Sequence, residues 1–197
     1  PDLTLFVNNK YEFDWSNASS HPFRFSIHPD GIHNKYEESI TVVEDSLTIT
    51  VSDASSILVG MTVTKDTENA RLNDSGDVDG EAVVEAVNGN VITLSAPVTS
   101  SGTMPVIIAG VKYEGSEVDY DDSSSKTTIA ANDATPTTLY YYCEVHPNMA
   151  GLTGQRAEVT IDPNNTKVFG TGFQILVTSI VSTDNVTLDV SSGGVTA

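Results

Sequence analysis

The sequence predicts an all-β protein, a sandwich or barrel of many short strands. Three observations carry that prediction. Apolar residues alternate with polar ones in short runs, the period of a strand with one buried face. Clusters of Gly, Asn, Asp and Ser separate the runs. No stretch sustains a helical period.

The elements follow in order. Leu3, Leu5 and Val7 alternate with polar neighbours, and Tyr11, Phe13 and Trp15 do the same after "NNK". This predicts two strands joined by a tight Asn-Asn turn. "HPFRFSIH" places Phe23, Phe25 and Ile27 on one strand face. Further β-rich runs are "SLTITV", "MTVT", "EAVVEAV", "NVITLS" and "MPVIIAGVKY", then "LYYYCEV", "AEVTI", "FQILVTSI" and "NVTLDV". "EAVVEAV" can be misread as a helix, but its flanks "DVDG" and "NGN" favour a strand ending in an Asn-Gly turn. A weak echo links Val83–Gly102 with Leu176–Gly194: strand, Asn turn, strand, Ser-Gly exit. Any hairpin shares this pattern. The stronger reading is two hairpin modules accompanying a central domain, one inserted and one appended.

Bulk properties set limits. The 197 residues suffice for one large β domain or two small ones, and 39% hydrophobic content is adequate for a core. A net charge of −18, from 27 acids against 9 bases, argues against nucleic acid or an anionic membrane surface as partner. It fits a mutually repelling extracellular or particle-surface protein, and simple solubility explains it equally well. A single cysteine cannot form an internal disulfide. No apolar run approaches membrane-spanning length. The start at Pro1 and the ending "SSGGVTA" read as a processed, truncated or partial polypeptide.

The chemistry concentrates in "YYYCEVHPNMAG", Tyr140 to Gly151, where Cys143, His146 and Met149 are spaced C-x2-H-x2-M. A lone cysteine is among the most buried residue types and alone reads as core. At this spacing, thiolate, imidazole and thioether together suit copper, in a trigonal site with a long axial Met. Such a site needs a second imidazole, and the chain has four histidines. His21 is the best candidate, because it sits where "DWSNASS" turns into the strand "HPFRFS". His28 and His33 lie in the polar loop "HPDGIHNKY" and read as solvated. The acidic stretches Asn73–Glu81 and Glu117–Asp122 offer oxygens to calcium, but neither has EF-hand spacing, and both read as solvated loops. Cys143 and His146 do not read as a nucleophile pair. They share a tight loop, with no third orienting group, so the chain is not expected to be an enzyme.

An early strand pair leading to a His, and a late strand ending Y-x-C-x2-H-x2-M-x-G, resemble the cupredoxins over Pro1 to about Ile40 and about Val118 to Ile161. The resemblance implies a Greek-key β-sandwich with one mononuclear copper site. It implies His21, Cys143 and His146 as equatorial ligands and Met149 as the axial one. His-Pro stands where the family more usually has His-Asn after the first ligand. Pro22 therefore lacks a backbone donor that often helps fix the cysteine sulfur or the loop. The implied organisation is a cupredoxin-like domain of residues 1–40 plus 118–162, an inserted β unit at 41–117, and a C-terminal β segment at 163–197 opening a further module.

"HPFRFS" followed by "DG" and "HN", with the later ligand loop, is also similar to cupredoxin-like domains in structural proteins of marine viruses, cyanophages especially. The unit "GMTVT…NGNVITLSAPVTSSG" is similar to modules of phage tail and decoration proteins. These resemblances imply a virion or other extracellular structural protein. Its partners would be other structural subunits in a homo-oligomer or larger assembly, with no nucleic acid and no membrane. The alternative is a soluble type 1 copper electron-transfer protein. The long insertion between the two halves of the ligand motif is unusual for a small carrier.

Overall fold

The computed structural model describes residues 2–65, 82–148, 157–163, 173–180 and 186–191. The predicted all-β class holds: among the described residues there is no α-helix, and the helical pieces are 3-10 turns at Ser16–Ala18 and Gly31–His33. The chain divides into two compact units, residues 1–33 with 112–197, and residues 34–111.

The first unit is a sandwich of two sheets. One sheet has the order β1 (Leu3–Phe6), β13 (Glu158–Asp162), β12 (Thr138–Cys143), β3 (Phe23–Ser26). The other has the order β10 (Val118–Asp121), β11 (Lys126–Ala131), β2 (Asn9–Asp14), β14 (Phe173–Ile180), β15 (Val186–Ser191). The strand alternation delivers their apolar faces to one core. Leu5, Phe23, Phe25, Leu139, Tyr141, Val159 and Ile161 from the first sheet meet Tyr11, Phe13, Ile129 and Ala131 from the second. Phe23 is stacked between Phe13 and Tyr141, at centroid distances of 4.6 and 5.2 Å. Each buried Val, Leu, Ile or Phe among them contributes roughly 1.5–3 kcal/mol.

Two expectations about connectivity change. The strands around the Asn turn do not pair with each other. β1 runs parallel to β13, and β2 runs antiparallel to β11, in opposite sheets. Asn8, at φ +63°, turns the chain across the sandwich, and its N–H donates to Ala131 O at 2.7 Å. Period-two alternation identifies a buried face but carries no information about which strand lies alongside. The segment 163–197, read as the opening of a further module, instead contributes β14 and β15 to this sheet, with β14 parallel to β2.

The second unit is an antiparallel sheet of β4 (Lys35–Val42), β9 (Gly102–Ala109), β6 (Thr62–Lys65), β7 (Ala82–Asn88), β8 (Val91–Leu94) and β5 (Thr48–Thr50) in that order. Ala82–Asn88, which takes in the described part of "EAVVEAV", is indeed a strand. It turns through Gly89-Asn90 with Gly89 at φ +56°, a conformation glycine adopts without steric cost. The Ser52 N–H beyond β5 donates to Glu38 Oε2 on β4 at 2.9 Å, so the two ends of the strand order approach each other. This unit has its own core, including Ile40, Ile49, Met61, Val63, Ile92, Leu94 and Ile108. Its edges fall at 33/34 and 111/112, where 40/41 and 117/118 were expected. The shift has a cause at each end. β4 pairs along its whole length with β9, and Tyr113 returns to the first unit, donating its N–H to Phe25 O at 2.8 Å.

Candidate metal centre

His21 owes its position to local chain geometry. After β2 the chain makes the Ser16–Ala18 turn, and the His21 N–H closes on Ala18 O at 2.8 Å. Pro22 follows, then β3, whose first residue Phe23 pairs with Cys143 at the end of β12. Pro22 O accepts the Glu144 N–H at 3.0 Å, which extends the β3–β12 pairing one step past the strands. The antiparallel register thus sets His21 opposite the loop that follows Cys143. His146 lies three residues further along that loop.

The three side chains converge. Cys143 Sγ lies 3.7 Å from His21 Nδ1 and 3.7 Å from His146 Nδ1. The two imidazoles are 4.5 Å apart between centroids, tilted by 39°. All three ligand atoms fall within 4.8 Å of one another. A thiolate about 2.3 Å and an imidazole nitrogen about 2.0 Å from one metal, at trigonal to tetrahedral angles, lie about 3.5–3.7 Å apart. The observed spacing fits three ligands of a single ion and is long for a direct hydrogen bond to sulfur. Met149, expected as the axial ligand, lies outside the described residues.

The surroundings suit a ligand set. Cys143 is 5% exposed, His21 is partly buried and His146 is open to solvent. Burial, and then the neighbouring His146, push the His21 pKa down, which favours the neutral imidazole a metal requires. Burial pushes the Cys143 thiol up, against hydrogen bonding from the His146 and Val145 backbone N–H groups, which pulls it down. In the metal-free protein the thiol keeps its proton, and metal binding must release it.

The histidine loop departs from expectation. His28 is 1% exposed, with its backbone N–H on Ser26 Oγ at 2.9 Å. His33 reaches Cys143 O with Nε2 at 2.9 Å. A carbonyl can only accept, so Nε2 carries the proton. Asp30 is 4% exposed and accepts the Asn148 N–H on Oδ1 at 3.1 Å and on Oδ2 at 3.0 Å. Burial raises the pKa of Asp30, while the Asn148 N–H and His33 act to lower it. Sequence reasoning missed Asp30 and His33 because "HPDGIH" has the composition of an exposed turn. It also missed Arg24, 2% exposed, whose Nη2 meets Asp122 Oδ1 at 2.5 Å and Glu144 Oε2 at 2.7 Å.

The acidic stretch Glu117–Asp122 is engaged elsewhere. Asp122 pairs with Arg24, Asp121 accepts bonds within its own turn, and Glu117 accepts the Tyr113 hydroxyl. The stretch Asn73–Glu81 lies outside the described residues. Among the described residues, His21, Cys143 and His146 form the one cluster able to hold a metal ion. Compared with known protein families, with curated proteins and with solved structures, the chain shows no match.

Proposed function

We propose that the chain is a structural building block of a virion or other extracellular assembly. In this reading it is a cupredoxin-like sandwich holding one copper ion between His21, Cys143 and His146, with Met149 in the axial position. One observation carries the metal reading: both imidazole Nδ1 atoms stand 3.7 Å from the Cys143 sulfur. A soft thiolate with two imidazoles suits copper, and an added thioether suits it better than zinc, which favours four strong ligands.

The structural role has separate support. A whole β unit, residues 34–111, interrupts the chain between the two halves of the ligand set, more mass than a small shuttle needs. With one cysteine, the chain has no internal disulfide, and an ion bound only by the native fold stabilises it by mass action. Assembly partners would be further structural subunits. A soluble electron carrier is the second reading, favoured by the exposed His146 between exposed Val145 and Pro147, an open edge for electron exchange.

Titration with Cu(II) tests the site. The expected result is one equivalent bound, with an intense thiolate-to-copper charge-transfer band that Cys143→Ser abolishes. Met149→Leu should keep the band and shift its energy, because the axial ligand tunes more than it anchors. Wild-type protein binding no more copper than Cys143→Ser would overturn the reading. A large copper-dependent rise in melting temperature with slow electron self-exchange supports the structural role. An unchanged melting temperature with fast reversible cycling supports the carrier.

A further inference from the structure

The ligand loop has a support problem that the β-sheet does not solve. Beyond Glu144, the pairing of β12 with β3 cannot continue, because Pro22 offers a carbonyl but no N–H. Backbone groups past this point need partners from elsewhere. They also carry His146, whose imidazole must be held within a fraction of an ångström of Cys143 Sγ for both to share an ion.

One short segment meets both ends of that loop. At the near end, His33 Nε2–H donates to Cys143 O at 2.9 Å. At the far end, Asp30 accepts the Asn148 N–H on both carboxylate oxygens, at 3.1 and 3.0 Å. Between them, Gly31 lies flat against the ring of Tyr142, the residue before Cys143. A Cβ built on Gly31 would stand 2.5 Å from the ring, and its φ of +54° disfavours any side chain as well. The segment is itself closed, with Gly31 N–H on His28 O and His33 N–H on Asp30 O, both at 3.1 Å. Asp30 adopts φ +58°, a conformation uncommon for a residue with a side chain and least so for Asp or Asn. A buried carboxylate in a left-handed backbone carries two local costs, and the Asn148 N–H offsets part of the first.

We propose that His28–His33 is a positioning brace for the metal-ligand loop, in which Asp30 and His33 hold the backbone on either side of His146 in binding geometry before any metal arrives. The segment replaces the sheet pairing that Pro22 ends. Neither residue touches the ion. Both act through the backbone of Cys143 and Asn148, as outer-shell partners orient ligands in metal sites generally. The brace rests on the metal-binding reading for its purpose, but its structural effect exists in the metal-free chain.

The test uses the full chain with Asp30→Asn, which keeps the size and the tolerance of positive φ but loses the carboxylate, and separately with His33→Phe. Folding of each is checked by cooperative thermal unfolding. Two readouts are taken: amide hydrogen exchange at Asn148 in metal-free protein, and Cu(I) affinity by competition with a chromogenic chelator. The expected result is Asn148 exchange about tenfold or more faster in Asp30→Asn, and copper affinity about 10–100-fold weaker in both variants. Wild-type values of both readouts in folded variants would overturn the brace. If wild-type protein binds no copper, the metal reading falls, and the Asn148 exchange rate still decides whether the brace exists.

Discussion

Arg24 is the residue whose environment departs furthest from its place in the sequence pattern. In "FRF" it alternates with two core phenylalanines, a position that strand periodicity assigns to solvent. It is instead 2% exposed, and its guanidinium carbon lies 5.1 Å from the Tyr120 ring centroid and 5.8 Å from that of Trp15. Its charge is met by Asp122 and Glu144, which are 66% and 34% exposed and keep one side of the network wet. A buried cation is tolerated because of such partners, and removing one member strands the others. Arg24→Ala should therefore destabilise metal-free protein by about 2–4 kcal/mol, through lost packing and lost pairing together. Asp122→Asn should cost less than about 1 kcal/mol, because that carboxylate is mostly hydrated already. Arg24→Lys should fall between the other two, since an ammonium can meet both carboxylates, as Nη2 alone does, but cannot also replace the Nη1–H bond to Phe23 O or the guanidinium over the Tyr120 ring. Urea unfolding measures all three, and an Arg24→Ala midpoint equal to wild type would refute the account.

At the level of the element, the turn from β10 to β11 is built on Asp121. Its Oδ1 accepts from Ser123 N at 3.0 Å, Ser123 Oγ at 2.6 Å and Ser124 N at 3.2 Å, and its Oδ2 accepts from Ser124 Oγ at 2.6 Å. These bonds, the Ser123 hydroxyl foremost and then that of Ser124, hold the carboxyl down from 3.8 to about 2. A carboxyl whose folded pKa lies below its unfolded value stabilises the fold above the unfolded pKa. That contribution is lost as pH falls through the folded pKa. Wild type should therefore be more stable than Asp121→Asn above about pH 4, with the gap closing toward pH 2. The gap is small because the turn lies at the surface, with residues 122–124 exposed. Carboxyl NMR titration of Asp121 together with urea unfolding at pH 5, 4, 3 and 2 follows it. A gap that widens on acidification would contradict the hydrogen-bond assignment. "DSSS" reads as a turn from composition alone. Which carboxylate organises it depends on side-chain directions that only the folded loop supplies.

The whole chain consists of two units with separate cores. The second enters and leaves at adjacent points: Lys35 pairs with Ala109, and the Gly110 N–H donates to Asn34 O at 2.9 Å. An insertion with adjacent ends adds little loop-closure cost to its host, which grows only as the logarithm of loop length. Replacing residues 34–111 by a short Gly/Ser linker should therefore leave the first unit folded, with cooperative unfolding and the same copper stoichiometry as the full chain. A folded deletion variant that has lost copper binding would show that the ligand geometry depends on the second unit.

Most strands and the chemistry-bearing residue types were legible in the sequence because each is a local or atomic property, but β4, β10 and β11 were not, their apolar residues being sparse and Glu117–Asp122 reading as a solvated loop. Alternation marks a buried face, Gly89 marks a reversal, and a thiol three residues before an imidazole offers two donor types that could share an ion. His21 was within reach for a similar reason: only four histidines exist, and one stands at the head of an aromatic strand. Tertiary structure alone decided that β1 and β2 separate into opposite sheets, that β14 joins β2, and that Arg24 and His28 are buried. It alone paired Asp30 with Asn148 across 118 residues and His33 with Cys143 across 110. A period-two pattern states that a face is covered without stating by what. A turn-like hexapeptide looks solvent-exposed until the loop after Cys143 is laid against it.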